Sequence, residues 1–148
     1  MSSQLDSGWY ILRNLKLLKQ LIKENSYESK DLPIFLHAIE ELANSSEDIK
    51  DELFSINNLN VQINIIGVIK GWIKIIKHKM KTGKGAISNP DVILEMNDEV
   101  GHGMFIKILD TQNAYRNGDL KIKGDLKEAM RFRSLFEIIS EELYFKVE

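Results

Sequence analysis

Residues 113–135 read Asn-Ala-Tyr-Arg-Asn-Gly-Asp-Leu-Lys-Ile-Lys-Gly-Asp-Leu-Lys-Glu-Ala-Met-Arg-Phe-Arg-Ser-Leu. Gly118 can adopt a positive φ and end a helical turn, after which Leu120 and Ile122 point to one face of a strand. Asp125 can then accept hydrogen bonds from the open amides of a following helix. The stretch therefore predicts a turn, a strand, a helix cap and a helix in immediate succession.

This stretch resembles the C-terminal half of the sterol carrier proteins of the type-two fold, in which a spaced alanine and glycine, a Lys-Leu-Lys-Ile strand and a Gly-Asp pair precede a helix with an early Ala-Met pair. The matching residues here are Ala114, Gly118, Leu120, Ile122, Gly124, Asp125, Ala129, Met130 and Leu135. Upstream, 53–67, 72–85 and 91–98 resemble the family's first strand, its hairpin and its next strand with a helix start. The resemblance covers roughly 47–143.

Apolar spacing divides the rest of the chain into helices and strands. Over 10–23 apolar residues recur at helical steps with basic residues opposite, which predicts a basic amphipathic helix. Val61, Ile63 and Ile65 alternate with polar residues, as strands do. Helices, then strands, then strands interleaved with helices predict an α+β fold, in which one twisted, mostly antiparallel sheet of about five strands is covered on one face by helices.

The predicted organisation is a sterol-carrier-like, lipid-binding domain over 30–145, preceded by a basic amphipathic helical extension over 1–25. Within the domain, 72–80 is predicted to be a strand, 81–85 the turn that follows it, and 86–88 a short further strand. Ser45, with Asp48 three residues later, is predicted to start a short helix.

The amphipathic helix at 10–23 lies outside the resemblance, so its role is open. It can pack on its own domain, pack on a second copy to form a homodimer, or make transient contact with a membrane surface. A cluster of lysines within 53–90, a stretch without acidic residues, is similarly open. These lysines either discourage edge-to-edge strand pairing or meet anionic lipid head groups.

Composition narrows the class of protein. The chain has 148 residues and a net charge of −2, which favours one domain and gives no nucleic-acid signature. It has no cysteine, which excludes thiolate catalysis and fits a reducing compartment without requiring one. No signal-like or membrane-spanning apolar run is present. We expect a cytoplasmic protein.

No catalytic or metal-binding constellation emerges from the motifs. His37, His78 and His102 are far apart in sequence, and no phosphate loop or Gly-x-Ser-x-Gly elbow occurs. The acidic pairs Glu40–Glu41 and Glu141–Glu142 are predicted to be solvated helix faces. We therefore expect no catalytic residues, no metal, no cofactor and no enzymatic activity.

The resemblance implies a hydrophobic tunnel between the sheet and the helices, holding a fatty acyl, acyl-CoA, sterol or isoprenoid-type ligand. Methionines suit such a wall because their flexible thioether chains repack around different ligands. For each candidate taken singly, ordinary core packing is the alternative. The residues predicted to bind ligand are Trp72, Met96, Met104, Phe105, Ile108, Ile122, Met130, Phe132, Arg133, Leu135 and Phe136.

Two departures from the family pattern affect this site. Arg133 stands where many relatives carry glutamine, and its guanidinium either binds a lipid carboxylate or phosphate or extends into water. Gly101 and Gly103 weaken a predicted helix, which suggests a ligand gate. The predicted function is a lipid carrier. The alternative is a non-catalytic accessory or dimerisation module of a lipid-metabolism enzyme, which docks through the N-terminal helix.

Overall fold

A computed structural model describes the backbone of residues 13–105 and 116–147 and the side chains of 13–103 and 116–143. The helices are α1 (Arg13–Lys23), α2 (Leu32–Ser45), α3 (Glu47–Phe54), α4 (Asp98–Phe105) and α5 (Leu126–Val147), with a 3-10 turn at Ser29–Asp31 before α2. The strands are β1 (Asn58–Ile65), β2 (Ile69–Ile76), β3 (Lys79–Lys84), β4 (Val92–Met96) and β5 (Leu120–Gly124).

The five strands form one sheet in the order β3-β2-β1-β4-β5. Three of the neighbouring pairs are antiparallel, and the central pair, β1 with β4, is parallel. Helices pack against this sheet, so the predicted α+β class with a mostly antiparallel sheet is confirmed. Because β4 lies beside β1 and not beside β3, the chain must cross from edge strand β3 past β2 and β1 to reach β4.

The sheet has an inner face, which packs against α2, and an outer face, which points away from it. Alternate residues of β1, β2 and β4 fill the inner face and are almost fully buried. A Cβ atom at Gly71 of β2 would lie 2.6 Å from Cδ1 of Leu36 and 3.0 Å from Cδ2 of Leu32. The missing side chain at Gly71 therefore allows α2 to lie directly on the sheet.

The hairpin between β2 and β3 turns earlier than its glycines predict. Lys77 and His78 form the turn with φ values of 51° and 66°, and the segment expected to be a turn continues as β3. The predicted turn at 81–85 is therefore wrong. Gly83 is a strand residue on the outer face, where the ring of Trp72 occupies the space that a Cβ atom would need.

Gln62 organises the crossover after β3, where a short strand at 86–88 was predicted and none forms. Its buried amide donates to the carbonyl oxygens of Gly71 and Gly85, both at 3.1 Å, and its oxygen accepts from the N–H of Ile87 at 2.8 Å. The connection therefore runs over the outer face and is held by a side chain instead of by strand pairing.

The described part of the N-terminal amphipathic helix packs on its own domain. Leu15 and Leu18 of α1 are buried, and α1 lies against α2. Glu41 of α2 accepts hydrogen bonds from the backbone N–H groups of Asn14 at 3.0 Å and Leu15 at 2.9 Å. Glu41 thus stabilises the first described turn of α1, and the prediction that it is a solvated residue is wrong.

Ser46, and not Ser45, caps α3. Its Oγ accepts from the N–H of Ile49 at 3.4 Å and donates to Oε1 of Glu142 in α5 at 2.7 Å. Glu142 therefore joins α5 to the start of α3, in addition to lying on a partly solvated helix face. Among the described helices, none combines the length and the apolar content that crossing a bilayer requires. The cytoplasmic location and the domain boundary at 25–30 stay predictions.

Candidate functional site

The helices that cover the inner face meet in an aromatic cluster. The ring centroids of Phe35 in α2 and Phe136 in α5 are 6.4 Å apart, and those of Phe132 and Phe136 are 5.7 Å apart. Leu135 is fully buried beside them. The structure therefore brings together three of the predicted ligand-binding residues, Phe132, Leu135 and Phe136, on the buried side of α5.

A second set of apolar side chains lies at the solvent boundary of the same region. Ile122 of β5 is 41% exposed, and Leu126 and Met130 at the start of α5 are 74% and 62% exposed. Ile122 pairs with Leu94, so its side chain belongs to the inner face. We call Ile122, Leu126 and Met130 the apolar edge. A contiguous patch of exposed apolar side chains, unlike single exposed residues, is a feature of surfaces that meet another apolar group.

Arg133 lies one helical turn after Met130 and is directed to solvent. Its side chain is 65% exposed, and its Nε donates to Oε1 of Glu137 at 3.3 Å. An exposed pair of this kind contributes little to stability, so the guanidinium keeps most of its donors available.

The remaining predicted residues divide between the two faces and the undescribed part of the chain. Met96 is buried on the inner face, opposite Leu120 of β5. Trp72 lies on the outer face, with Nζ of Lys74 5.3 Å from its ring centroid, so the structure does not bring Trp72 together with the others. The side chains of Met104 and Phe105, and all of Ile108, lie outside the described residues.

The helix with two glycines is capped by Asn97. Oδ1 of Asn97 accepts from the N–H of Val100 at 2.8 Å, and α4 starts at Asp98. A Cβ atom at Gly101 would lie 2.9 Å from Cδ1 of Ile65 in β1. Gly101 therefore allows close packing of α4 on the sheet, which is a structural reason for a glycine there. Opening of this helix as a gate stays a hypothesis.

Tyr27, which the sequence analysis did not single out, is a buried polar residue next to α4. Its hydroxyl has no hydrogen-bond partner in the part of the chain that the structure describes, and its ring lies 6.1 Å from that of His102. Burial raises the pKa of Tyr27 strongly, and the charge of Asp31 adds to this. No local sequence pattern marks Tyr27, because it is buried next to residues that are distant in sequence, such as His102.

A polar cluster of Thr82, Glu40 and His37 joins β3 to α2. Oε1 of Glu40 accepts from the N–H and the hydroxyl of Thr82, at 2.8 and 2.7 Å, and Nδ1 of His37 lies 3.2 Å from the hydroxyl oxygen. Because Glu40 accepts from a backbone N–H of the edge strand, the cluster covers that edge and holds it to the helix. Glu40 was also wrongly predicted to be a solvated residue.

The comparisons with known proteins agree with this architecture. The family model of the SCP-2 sterol transfer family matches residues 36–137, more than half of the chain. A comparison with curated protein sequences gives no match.

Three solved structures illustrate the likeness in fold. The crystal structure of sterol carrier protein 2 has a TM-score of 0.58 at 11% identity, over 76% of this chain and 95% of that one. The ubiquinone synthesis protein UbiJ-SCP2 has a TM-score of 0.54 at 17% sequence identity, and the match covers 70% of this chain and 94% of that one. The inverting sec-alkylsulfatase Pisa1 of Pseudomonas sp. has a TM-score of 0.55 at 14% sequence identity, and the match covers 70% of this chain and 16% of that one. This chain spans only 13 to 16% of the alkylsulfatase chains that it matches.

The solved structures show that this fold is shared, and the family model covers most of the elements that build the inner face and the first turns of α5. The resemblance seen in the motif at 113–135 is thereby confirmed. The chain belongs to the SCP-2 sterol transfer family.

Proposed function

We propose that this protein binds an acyl chain or a similarly apolar lipid between the inner face of the sheet and α5, and carries it without chemical change. Family membership supports lipid as the class of ligand. The observation that carries the proposal is the apolar edge, where Ile122, Leu126 and Met130 are exposed at the end of α5 that also bears the buried Phe132. The apolar edge would form the mouth of the site.

Burial of lipid methylenes would supply the binding energy. Each methylene removed from water contributes about 0.8 kcal/mol, so a dozen contribute about 10 kcal/mol. That sum is comparable with the cost of immobilising a ligand, about 4–15 kcal/mol. An apolar wall distinguishes one methylene more or less by only about 1–3 kcal/mol. The proposal therefore includes fatty acyl, acyl-CoA, sterol and isoprenoid-type ligands.

Within this proposal Arg133 has a role at the mouth and not in the interior. Its guanidinium is exposed one turn from Met130, where it would meet a carboxylate or phosphate at the polar end of a bound lipid. When the ligand binds, Glu137 would lose the hydrogen bond from Nε of Arg133 and bind water instead.

The test compares two tryptophan substitutions on one helix. Met130→Trp enlarges a side chain of the apolar edge, whereas Glu141→Trp makes a change of similar bulk on the same side of α5, about 16 Å further along the helix. Both positions are exposed, so both variants should fold. We expect Met130→Trp to weaken binding of a fluorescent fatty acid about tenfold or more, and Glu141→Trp to leave it unchanged.

Native mass spectrometry of the purified protein supplies an independent measure. A co-purified lipid, together with the difference between the two variants, supports the carrier. Equal uptake by the Met130→Trp variant and the parent protein would contradict the proposed mouth, and failure to bind fatty acid, acyl-CoA and sterol probes would contradict lipid carriage.

The accessory-module alternative has support from α1. Leu17 remains 42% exposed on this basic helix, although Leu15 and Leu18 are buried. Such a surface suits docking to a partner enzyme or to a second copy. A lipid-free, stable dimer that dissociates in the Leu17→Gln variant would favour the module over the carrier.

A further inference from the structure

The outer face of the sheet bears a basic patch that the proposed lipid site does not use. We define the outer-face patch as the residues of β2 and β3 that point away from α2: Lys70, Trp72, Lys74, Ile76, Lys79 and Lys81. Their orientation follows from strand alternation, because the intervening Gly71, Ile73 and Ile75 face α2 and are buried.

The lysines of this patch lie in a stretch of chain without negative charge. No acidic residue occurs between 53 and 90 in the sequence. Lys74 and Lys81 are directly opposite each other in the strand register, and like charges in such a pair destabilise a sheet. Within residues 13–103 and 116–143, no salt bridge involves either of them. The patch therefore concentrates positive charge that an anionic surface would neutralise.

Protection of the sheet edge explains only part of this arrangement. Lysines on an edge strand discourage pairing with another chain, and Lys79 and Lys81 on β3 fit that role. Lys70 and Lys74 lie on β2, which is paired on both sides, so they protect no edge. Trp72 is a large aromatic residue left partly exposed among them. Edge protection does not require such a residue.

We propose that the outer-face patch docks this protein onto the surface of an anionic lipid bilayer. The charge is complementary to anionic head groups, and tryptophan favours the boundary between head groups and acyl chains. Ile76 is 44% exposed on the same face, and at that end of the sheet Phe54 is 75% exposed and stacks on His78 with ring centroids 5.0 Å apart. A bilayer would bury these apolar groups, whereas a nucleic acid backbone would not.

Docking through the outer face differs from membrane contact through 10–23. In α1 Leu15 and Leu18 are buried, and Leu21 and Ile22 pack against the core, so Leu17 is the one large apolar residue in the described part of this helix that is exposed to a bilayer. Docking is also independent of the proposed cargo, because vesicle binding by the outer face requires no ligand in the inner site.

The test measures partitioning of the full chain onto vesicles of phosphatidylcholine, with and without phosphatidylserine, by co-flotation. Lys74→Gln/Lys81→Gln removes two charges from the patch, and Lys19→Gln/Lys23→Gln removes two from α1. Each basic residue near an anionic surface contributes a factor of about five, so we expect about a 25-fold loss for the patch variant. The α1 variant should bind like the parent protein.

A second measurement reports the orientation of the bound protein. Trp9→Phe leaves Trp72 as the remaining tryptophan, and brominated phosphatidylcholine mixed into the anionic vesicles should quench its fluorescence. Three outcomes would each overturn the proposal: absence of binding to anionic vesicles, an equal loss in both lysine variants, or vesicle binding that leaves Trp72 unquenched. Tighter binding to a DNA or RNA duplex than to anionic vesicles would overturn it in favour of a nucleic acid partner.

Discussion

Gly124 ends β5 in a conformation and a space that only glycine fits. Its φ is +112°, and a Cβ atom there would collide with the carbonyl oxygen of Asp91, just before β4. The same carbonyl accepts from the N–H of Asp125 at 3.0 Å, so the backbone is held close at this point. One residue therefore sets how β5 leaves the sheet and how α5 begins, which places the apolar edge.

Substitution of Gly124 should lower the stability of the fold much more than substitution of a glycine that has a similar φ but free space where a Cβ atom would lie. Gly85 has a φ of +98°, and nothing lies within 4 Å of the place that a Cβ atom would take. We expect Gly85→Ala to lower the free energy of unfolding by about 1–2 kcal/mol, through backbone strain alone. Gly124→Ala adds a backbone collision and should lower it by about 3–5 kcal/mol. Urea denaturation measures both, and equal effects would contradict this account.

At the scale of elements, the attachment of α1 depends on a carboxylate from another helix. Both oxygens of Glu41 accept hydrogen bonds from the first described turn of α1, including one from Nδ2 of Asn14 at 2.7 Å. A negative charge at the start of a helix also interacts favourably with the helix dipole. Glu41 thus performs for α1 the role that a local capping residue performs elsewhere.

Removal of this carboxylate should loosen α1 selectively. We expect Glu41→Ala to lower the free energy of unfolding by about 1–2 kcal/mol, the usual loss for a helix cap. Amide hydrogen exchange in α1 should accelerate more than exchange in the sheet. Glu47→Ala is the matched control. The side chain of Glu47 is 84% exposed, and its oxygen lies 3.9 Å from Nζ of Lys50, which makes a weak surface ion pair. Unchanged exchange in α1 of the Glu41→Ala variant would show that the cap contributes nothing.

At the scale of the whole molecule, the two proposals assign separate roles to the two sheet faces. The inner face supports the proposed lipid site, and the outer face bears the basic patch, so cargo binding and surface docking can be changed independently. Tyr27 lies in the connection between α1 and α2, its ring approaches that of His102 in α4, and its hydroxyl is buried without a hydrogen-bond partner among the described residues. Global stability at high pH should therefore depend on Tyr27.

Tyr27 should make the protein lose stability at alkaline pH. The folded state raises the pKa of Tyr27 above its ordinary value of 10.0, so above pH 10 only the unfolded chain releases this proton readily. Its contribution is fully present below pH 10 and falls by about 1.4 kcal/mol for each further pH unit. Tyr27→Phe should be neutral or slightly stabilising at pH 7, because it removes a buried hydroxyl that has no hydrogen-bond partner among the described residues. Between pH 8 and 12 the free energy of unfolding, measured by urea denaturation, should fall less steeply with pH in the variant than in the parent protein. Parallel curves of unfolding free energy against pH would contradict a role of Tyr27 in the alkaline loss of stability.

The sequence alone determined the α+β class and the strand-cap-helix order at 118–130, because glycine conformations, helix caps and apolar periodicity are local properties. The family came from the resemblance of the motif at 113–135 and not from these local patterns. The sequence also placed Phe132, Leu135 and Phe136 among the candidate ligand-binding residues. The turn at Lys77 and His78 was missed because residues other than glycine seldom adopt a positive φ.

Only the tertiary structure decided which face each element presents and what covers it. Trp72 lies on the outer face, Met130 and Arg133 at the solvent boundary, and Glu40 and Glu41 in contacts between elements. Periodicity shows that residues share a face, but it does not show whether a helix, another strand or water lies against that face. Contacts between residues such as Glu41 and Asn14 depend on the path of the whole chain.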